Sequence, residues 1–403
     1  MEQDSGLKRA IGFWGFVSNN INIIVGAGIF ILPAIVSENL GIMSIVAYLL
    51  SGGLMILIML CFADIGSRIT ITGGAYSYIE GTFGRFAGFL TTNLFVFGAA
   101  VTANAAVANG LADTLSYFFP AFKTEFIRIG FFILVFSSLA FVNVRGLKQG
   151  MFVVNFNTIA KLLPLLFIAF VGWTFMDDEN LKVSSPPALA DIGEMSLILI
   201  FAFSGAETAL NVSGEIKNPK KTIPRGIFLS MGIVLVLFIL IQLAAEGILG
   251  KELTQHKDAP LAEVAARMIG PAGATLVILG AVFAMLGNLG GLVLNMPRLI
   301  FAAARDRVIP PPALAKLHPK FKTPYISVIV YATLGCLFSI LGEFRQLAML
   351  SSASFLLIYL GVVLAVIRNT GTTCRPVCTG WPVQETAAIS SFATSTAEAA
   401  SRQ

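Results

Sequence analysis

From Ile11 to Ile367 the chain is a series of apolar runs, each closed by a short polar break. A helix needs about 20 apolar residues to cross roughly 30 Å of hydrocarbon at about 1.5 Å per residue. Ten segments meet that need, near 11–33, 42–63, 86–111, 126–142, 150–173, 194–213, 227–247, 272–301, 325–341 and 346–367, the fourth and ninth being the shortest. The pattern predicts an all-α integral membrane protein of about ten transmembrane helices. Past Arg368 it stops: Thr, Ser, Ala and Pro dominate, and residues 368–403 read as a disordered tail behind one membrane domain, 1–367.

Composition supports this picture and excludes others. The chain is 56% hydrophobic and 12% charged, with mean hydropathy +0.83, whereas a soluble domain carries roughly 25% charge. The formal charge of +5 is spread through short loops between apolar runs, which suits a bilayer rather than nucleic acid. With the N-terminus in the cytoplasm, the inner loops hold sixteen Lys and Arg and the outer loops seven, and Asp177, Asp178 and Glu179 fall outside. That asymmetry predicts a multi-pass protein of the plasma (inner) membrane with both ends inside. The first run is too long for a cleavable signal and serves as the insertion signal itself. Four cysteines give no disulfide framework, and Cys374 and Cys378 have no histidine nearby to make a metal site. His256 and His318 fall in loops and no carboxylate pair sits within the spans, so neither an enzyme nor a bound cofactor is expected.

The informative residues are those that cost energy in lipid. In the first span Val25, Gly26, Ala27 and Gly28 make a small-residue interruption near mid-depth, with Pro33 following. Alone it fits a helix-packing face equally well. The sixth span repeats the feature in Ser204, Gly205 and Ala206, followed by Glu207. These are the first spans of two five-span halves, about 11–173 and 194–367, and interrupted helices at corresponding positions point to a transporter site. Free N–H groups at a half-helix N-terminus suit a substrate carboxylate, and freed carbonyls suit an ammonium; an α-amino acid presents both.

Lys161 lies about 16 Å into the fifth span at about 1.5 Å per residue, near the bilayer centre. A lysine there costs about 2.5–3.5 kcal/mol on insertion scales, so it should face the interior, either neutral or bonded to a carbonyl. One reading has it carry the coupling proton and, when charged, bond the freed carbonyls of the first span; the other makes it structural. Glu207 either takes part in substrate or proton handling or braces the broken helix. Phe201 and Phe203 read first as packing residues, with an aromatic gate as the alternative. Asn22, Asn104, Asn288 and Asn295 either line a path or bond between helices. With Glu207 the one acidic residue singled out, small apolar side chains are expected of a substrate ahead of arginine or lysine.

Four stretches together resemble the amino acid-polyamine-organocation transporters: Gly26-Ala27-Gly28-Ile29-Phe30 with Pro33; Thr72-Gly73-Gly74-Ala75-Tyr76-Ser77-Tyr78; Phe203-Ser204-Gly205-Ala206-Glu207 running on to Pro219 and Arg225; and Arg298 through Pro310 with Lys322-Thr323-Pro324. The resemblance implies a leucine-transporter-like five-plus-five inverted repeat with helices one and six broken around the substrate backbone. It implies a bundle of spans one, two, six and seven rocking against spans three, four, eight and nine. It makes Phe201 the substrate-side aromatic gate. It also matches Lys161 to the fifth-span lysine that in some members stands where sodium sits in sodium-coupled relatives, which favours proton coupling. Typical members have twelve spans, so the last two are expected to be missing here and the tail to be aberrant.

The expected activity is therefore secondary active, proton-coupled transport of amino acids by alternating access, with amino acid/polyamine exchange or uniport without proton coupling as the alternative. A membrane scaffold or inactive fragment is the alternative of another class. Expected partners are an amino acid, protons and the bilayer, in a monomer or homodimer.

Overall fold

The computed structural model describes residues 12–68, 74–145, 151–182, 186–208, 210, 216–305, 307–309, 311–321 and 323–370. The tail from 371 to 403, and with it the expectation of disorder there, lies outside the described residues. The chain runs through α1 (Phe13–Ile24), α2 (Gly28–Leu40), α3 (Ser44–Arg68), α4 (Gly74–Phe83), α5 (Arg85–Asn93), α6 (Val101–Ser116) and α7 (Glu125–Arg145). It continues through α8 (Met151–Val171), α9 (Leu189–Phe203), α10 (Pro219–Leu249), α11 (Pro260–Ile269), α12 (Pro271–Arg305), α13 (Tyr325–Leu341) and α14 (Phe344–Thr370). A π-helical segment, Leu94–Ala100, joins α5 to α6 into one long helix.

The described residues are all-α, and each of the ten predicted spans coincides with α-helix over at least part of its length, the sixth, 194–213, only as far as Phe203. By length and composition, seven stretches of the described residues are long and apolar enough to cross a membrane, among them Arg85–Ser116, Glu125–Arg145 and Pro271–Arg305. Ile159–Phe175 and Tyr325–Leu341 are shorter apolar helices. The first span is divided between α1 and α2 by its break. The fourth predicted span, 126–142, proves longer than its apolar core because Glu125 and Arg145 extend α7 at both ends, where their charges suit the helix dipole.

Packing sorts the helices into two groups. α3 lies against α10 and α9, α1 against α10, and α2 against α9; α12 lies against α6, and α13 against α7 and α6. α8 contacts both groups through α12, α10 and α1, and α14 does so through α6, α9 and α3. The chain therefore places the two interrupted helices in one group and makes α8, which carries Lys161, a bridge to the other. Lipid exposure follows position: the apolar stretch of Arg85–Ser116 is 83% buried, whereas that of Glu125–Arg145 is 11% buried and offers Phe126, Leu134 and Phe141 outward.

Candidate functional site

α1 ends because its backbone turns away from helical geometry at Val25, with ψ of 86°. The Val25 N–H still reaches Ile21 O at 2.9 Å, but the Gly26 N–H turns back to Ile24 O at 2.8 Å. The carbonyls of Asn22, Ile23 and Val25 are thereby freed from the α1 ladder, and in a buried site each needs a donor. Side chains from two distant helices supply them. Lys161 Nζ donates to Asn22 O and to Val25 O, the latter at 2.8 Å, and Asn288 Nδ2 of α12 donates to Ile23 O at 3.3 Å. Lys161 is 1% exposed. Its ammonium thus has carbonyl partners in place of water, and of Asn288's two expected roles the structure places it in an interhelical bond. On the far side of the break α2 starts at Gly28 with no side chain capping its N-terminus, which leaves backbone N–H groups for a ligand.

The sixth-span break is built locally. α9 ends at Phe203, Ser204 is extended with ψ of 159°, and Gly205 takes φ of +110°, a conformation that side-chain-bearing residues rarely adopt. The Gly205 N–H donates to both carboxylate oxygens of Glu207, at 3.1 and 3.0 Å. Ser204 Oγ donates to Phe201 O at 2.8 Å and Thr208 Oγ1 to Gly205 O at 2.6 Å. One partner is remote: the Tyr359 hydroxyl of α14 donates to Glu207 Oε2 at 3.0 Å.

The two breaks touch. A Cβ on Gly28 would lie 2.9 Å from the Ala202 Cα, and one on Gly205 would lie 2.8 Å from Ile23 Cγ2. Val25, Ala27 and Ala206 are buried, while Ser204 and Gly205 keep partial exposure. Phe201 stands at the edge of this cluster, its ring edge-on to Phe344 with centroids 5.7 Å apart. Phe344 in turn lines a cavity of about 570 Å³ together with Ile31, Asn109, Arg128 and Glu343. Beside that cavity Lys257 pairs with Glu38 of α2 at 2.7 Å and Arg345 of α14 with Glu194 of α9 at 2.8 Å, and Arg128 pairs with Asp113 at 2.5 Å. Every predicted site residue on the two breaks is thus gathered in one cluster, with Lys161 attached to the first and Glu207 to the second.

A model of the amino acid permease family matches residues 11–396, continuing past Arg368. The chain belongs to the amino acid permease family. This permease is a multi-pass membrane transporter and not an enzyme. It is 30% identical to the serine/threonine exchanger SteT of Bacillus subtilis over 373 residues, 90% of this chain and 83% of the relative. It is 24% identical to the branched-chain amino acid permease BcaP of the same organism over 400 residues, 94% of this chain and 86% of the relative. A plant relative, cationic amino acid transporter 5 of Arabidopsis thaliana, is 27% identical over 387 residues, 91% of this chain and 66% of the relative.

Three residues of the permease escaped the sequence reading. Tyr359 and Phe344 sit in the tenth span, an ordinary apolar run whose register against α9 only the fold supplies. Glu246 of α10 is a second buried acid, 2% exposed; a carboxylate inside an apolar run was the available signal.

Proposed function

We propose that this permease moves amino acids with small side chains across the plasma membrane by alternating access, its N-terminus in the cytoplasm, with Lys161 carrying a coupling proton. The observation that carries the reading is the bonding of Lys161 Nζ to two carbonyls freed by the first-span break. A charged lysine closes the break and a neutral one has fewer hydrogens to share between the same acceptors, so protonation and the shape of the α1–α2 junction are linked. The substrate carboxylate would meet the uncapped N-terminus of α2 around Val25, Gly26, Ala27 and Gly28, and its ammonium the carbonyls near Phe201, Ser204, Gly205 and Ala206. Phe201 against Phe344 would shut the site from the charged cavity. Residues 11–173 and 194–367 are taken as the two inverted repeats.

A second reading is obligatory exchange without net proton movement, favoured by the likeness to an exchanger over 90% of the chain. Uptake of labelled amino acids by proteoliposomes, with and without an inward proton gradient, separates the two. Gradient-stimulated accumulation that disappears in Lys161→Ala supports coupling; accumulation undiminished in that variant would rule it out. Flux that needs a second amino acid on the opposite side, and ignores the gradient, supports exchange.

A further inference from the structure

Glu246 stands three residues before the end of α10, away from both breaks. Its surroundings are polar but uncharged. Gln242, one turn earlier, donates through Nε2 to Glu246 Oε1 at 3.2 Å and also to Pro33 O of α2 at 3.4 Å. The Ser37 hydroxyl of α2 lies close enough to favour the charged carboxyl, and Tyr48 of α3 lies near enough to feel its charge. Gln242 and Tyr48 are fully buried.

No cation compensates this acid: among the described residues Glu246 makes no ion pair. The charged residues of the surrounding elements are occupied or at the surface. Glu38 of α2 pairs with Lys257, Glu179 with Lys182, and Glu252 with Arg267 of α11. Asp177, Asp178 and Lys251 are exposed, Glu263 accepts from Tyr117, and Lys161 of α8 is committed to the first break. Tyr48 is thus the titratable neighbour within the buried group.

Hydrogen-bond accounting points the same way. With Glu246 ionised, Gln242 Oε1 is a buried acceptor without a donor, and the Tyr48 hydroxyl is a buried O–H with no partner. Buried polar atoms are ordinarily satisfied, and an unpaired buried carboxylate is costly. A carboxyl that gains a proton supplies one O–H donor and loses its charge.

We propose that Glu246 is a proton-binding site of this permease, distinct from Lys161 and Glu207, that exchanges one proton with water as α2 moves against α3 and α10. The proton adds to a carboxylate oxygen when the three helices close and leaves from it when they part. The link to transport rests on the reading of proton coupling above. α2 carries it, because Pro33 and Ser37 belong to the same half-helix that begins at the substrate-side break.

Two measurements on the full chain test the site. Infrared difference spectra across a pH titration of purified protein should contain the C=O stretch of a titrating buried carboxyl, present in the wild type and in Glu207→Gln, and missing in Glu246→Gln. Identical wild-type and Glu246→Gln spectra would overturn the site. Counterflow exchange of labelled amino acids in proteoliposomes, measured from acid to alkaline pH, should vary with pH in the wild type and flatten to a ratio near unity in Glu246→Gln. An unaltered profile in that variant would overturn the link to transport. If no amino acid is carried at all, the transport reading fails, and the infrared band still decides whether Glu246 binds a proton.

Discussion

The two broken helices solve one problem in opposite ways. The first break hands its orphaned carbonyls to side chains far away in sequence, Lys161 of α8 and Asn288 of α12. The second keeps most of its bonding between Phe201 and Thr208, through Ser204, Gly205, Glu207 and Thr208, with Tyr359 as its remote partner among the described residues. A break held from outside changes when its holders move or change protonation; a break held by its own chain keeps its shape. The first is therefore suited to sensing and the second to serving as a fixed wall.

The comparison breaks most severely at Lys161. Lys161→Ala leaves two buried carbonyls without donors, at about 1–3 kcal/mol each, and should reduce gradient-driven uptake to background, with a matching fall in detergent-solubilised thermal stability. Next comes the contact between the breaks: Gly28→Val drives a side chain against the Ala202 backbone, for which overpacking costs about 1–3 kcal/mol. Uptake should fall with it; a Gly28→Val protein of wild-type stability and rate would mean the two breaks are not in contact. Tyr359→Phe removes one of the bonds to the Glu207 carboxylate, about 1.5 kcal/mol for a bond to a charged group, and should lower the unfolding temperature while leaving the accumulation ratio near wild type. If it abolishes accumulation instead, the second break is not self-sufficient. Smallest is Asn288→Ala, which strips one long bond from Ile23 O for about 1 kcal/mol and should slow uptake without ending it.

How far the sequence carried this description depended on the range of the interactions. Apolar run length pointed to helix at each of the ten places, though the α-helix of the sixth span stops at Phe203, and Tyr325–Leu341 coincides with its predicted limits, because membrane length and turn residues act locally. Gly205 could be picked out because a small-residue interruption in an apolar run has few explanations. Lys161 stood out for its cost in lipid. Tyr359 and Phe344 did not, since their importance lies in which face of α14 meets α9, a register that no single segment encodes. Glu246 fell one residue inside the predicted end of the seventh span, where a carboxylate reads as interfacial. α10 in fact runs on to Leu249 and is followed by a 3-10 turn, Gly250–Gln255, that packs on it, turning a boundary residue into an internal one.

The closure beside the 570 Å³ cavity is made of two materials. The Glu38–Lys257 and Glu194–Arg345 pairs have side chains 39–48% exposed, so each is worth only about 0–1 kcal/mol and is screened by dissolved ions. The Phe201–Phe344 contact beneath them is apolar, indifferent to screening and weaker in the cold. If the Phe201–Phe344 contact shuts the site as proposed, raised salinity would loosen the ion pairs and low temperature the aromatic contact, so one closure would answer separately to two properties of the solution bathing it.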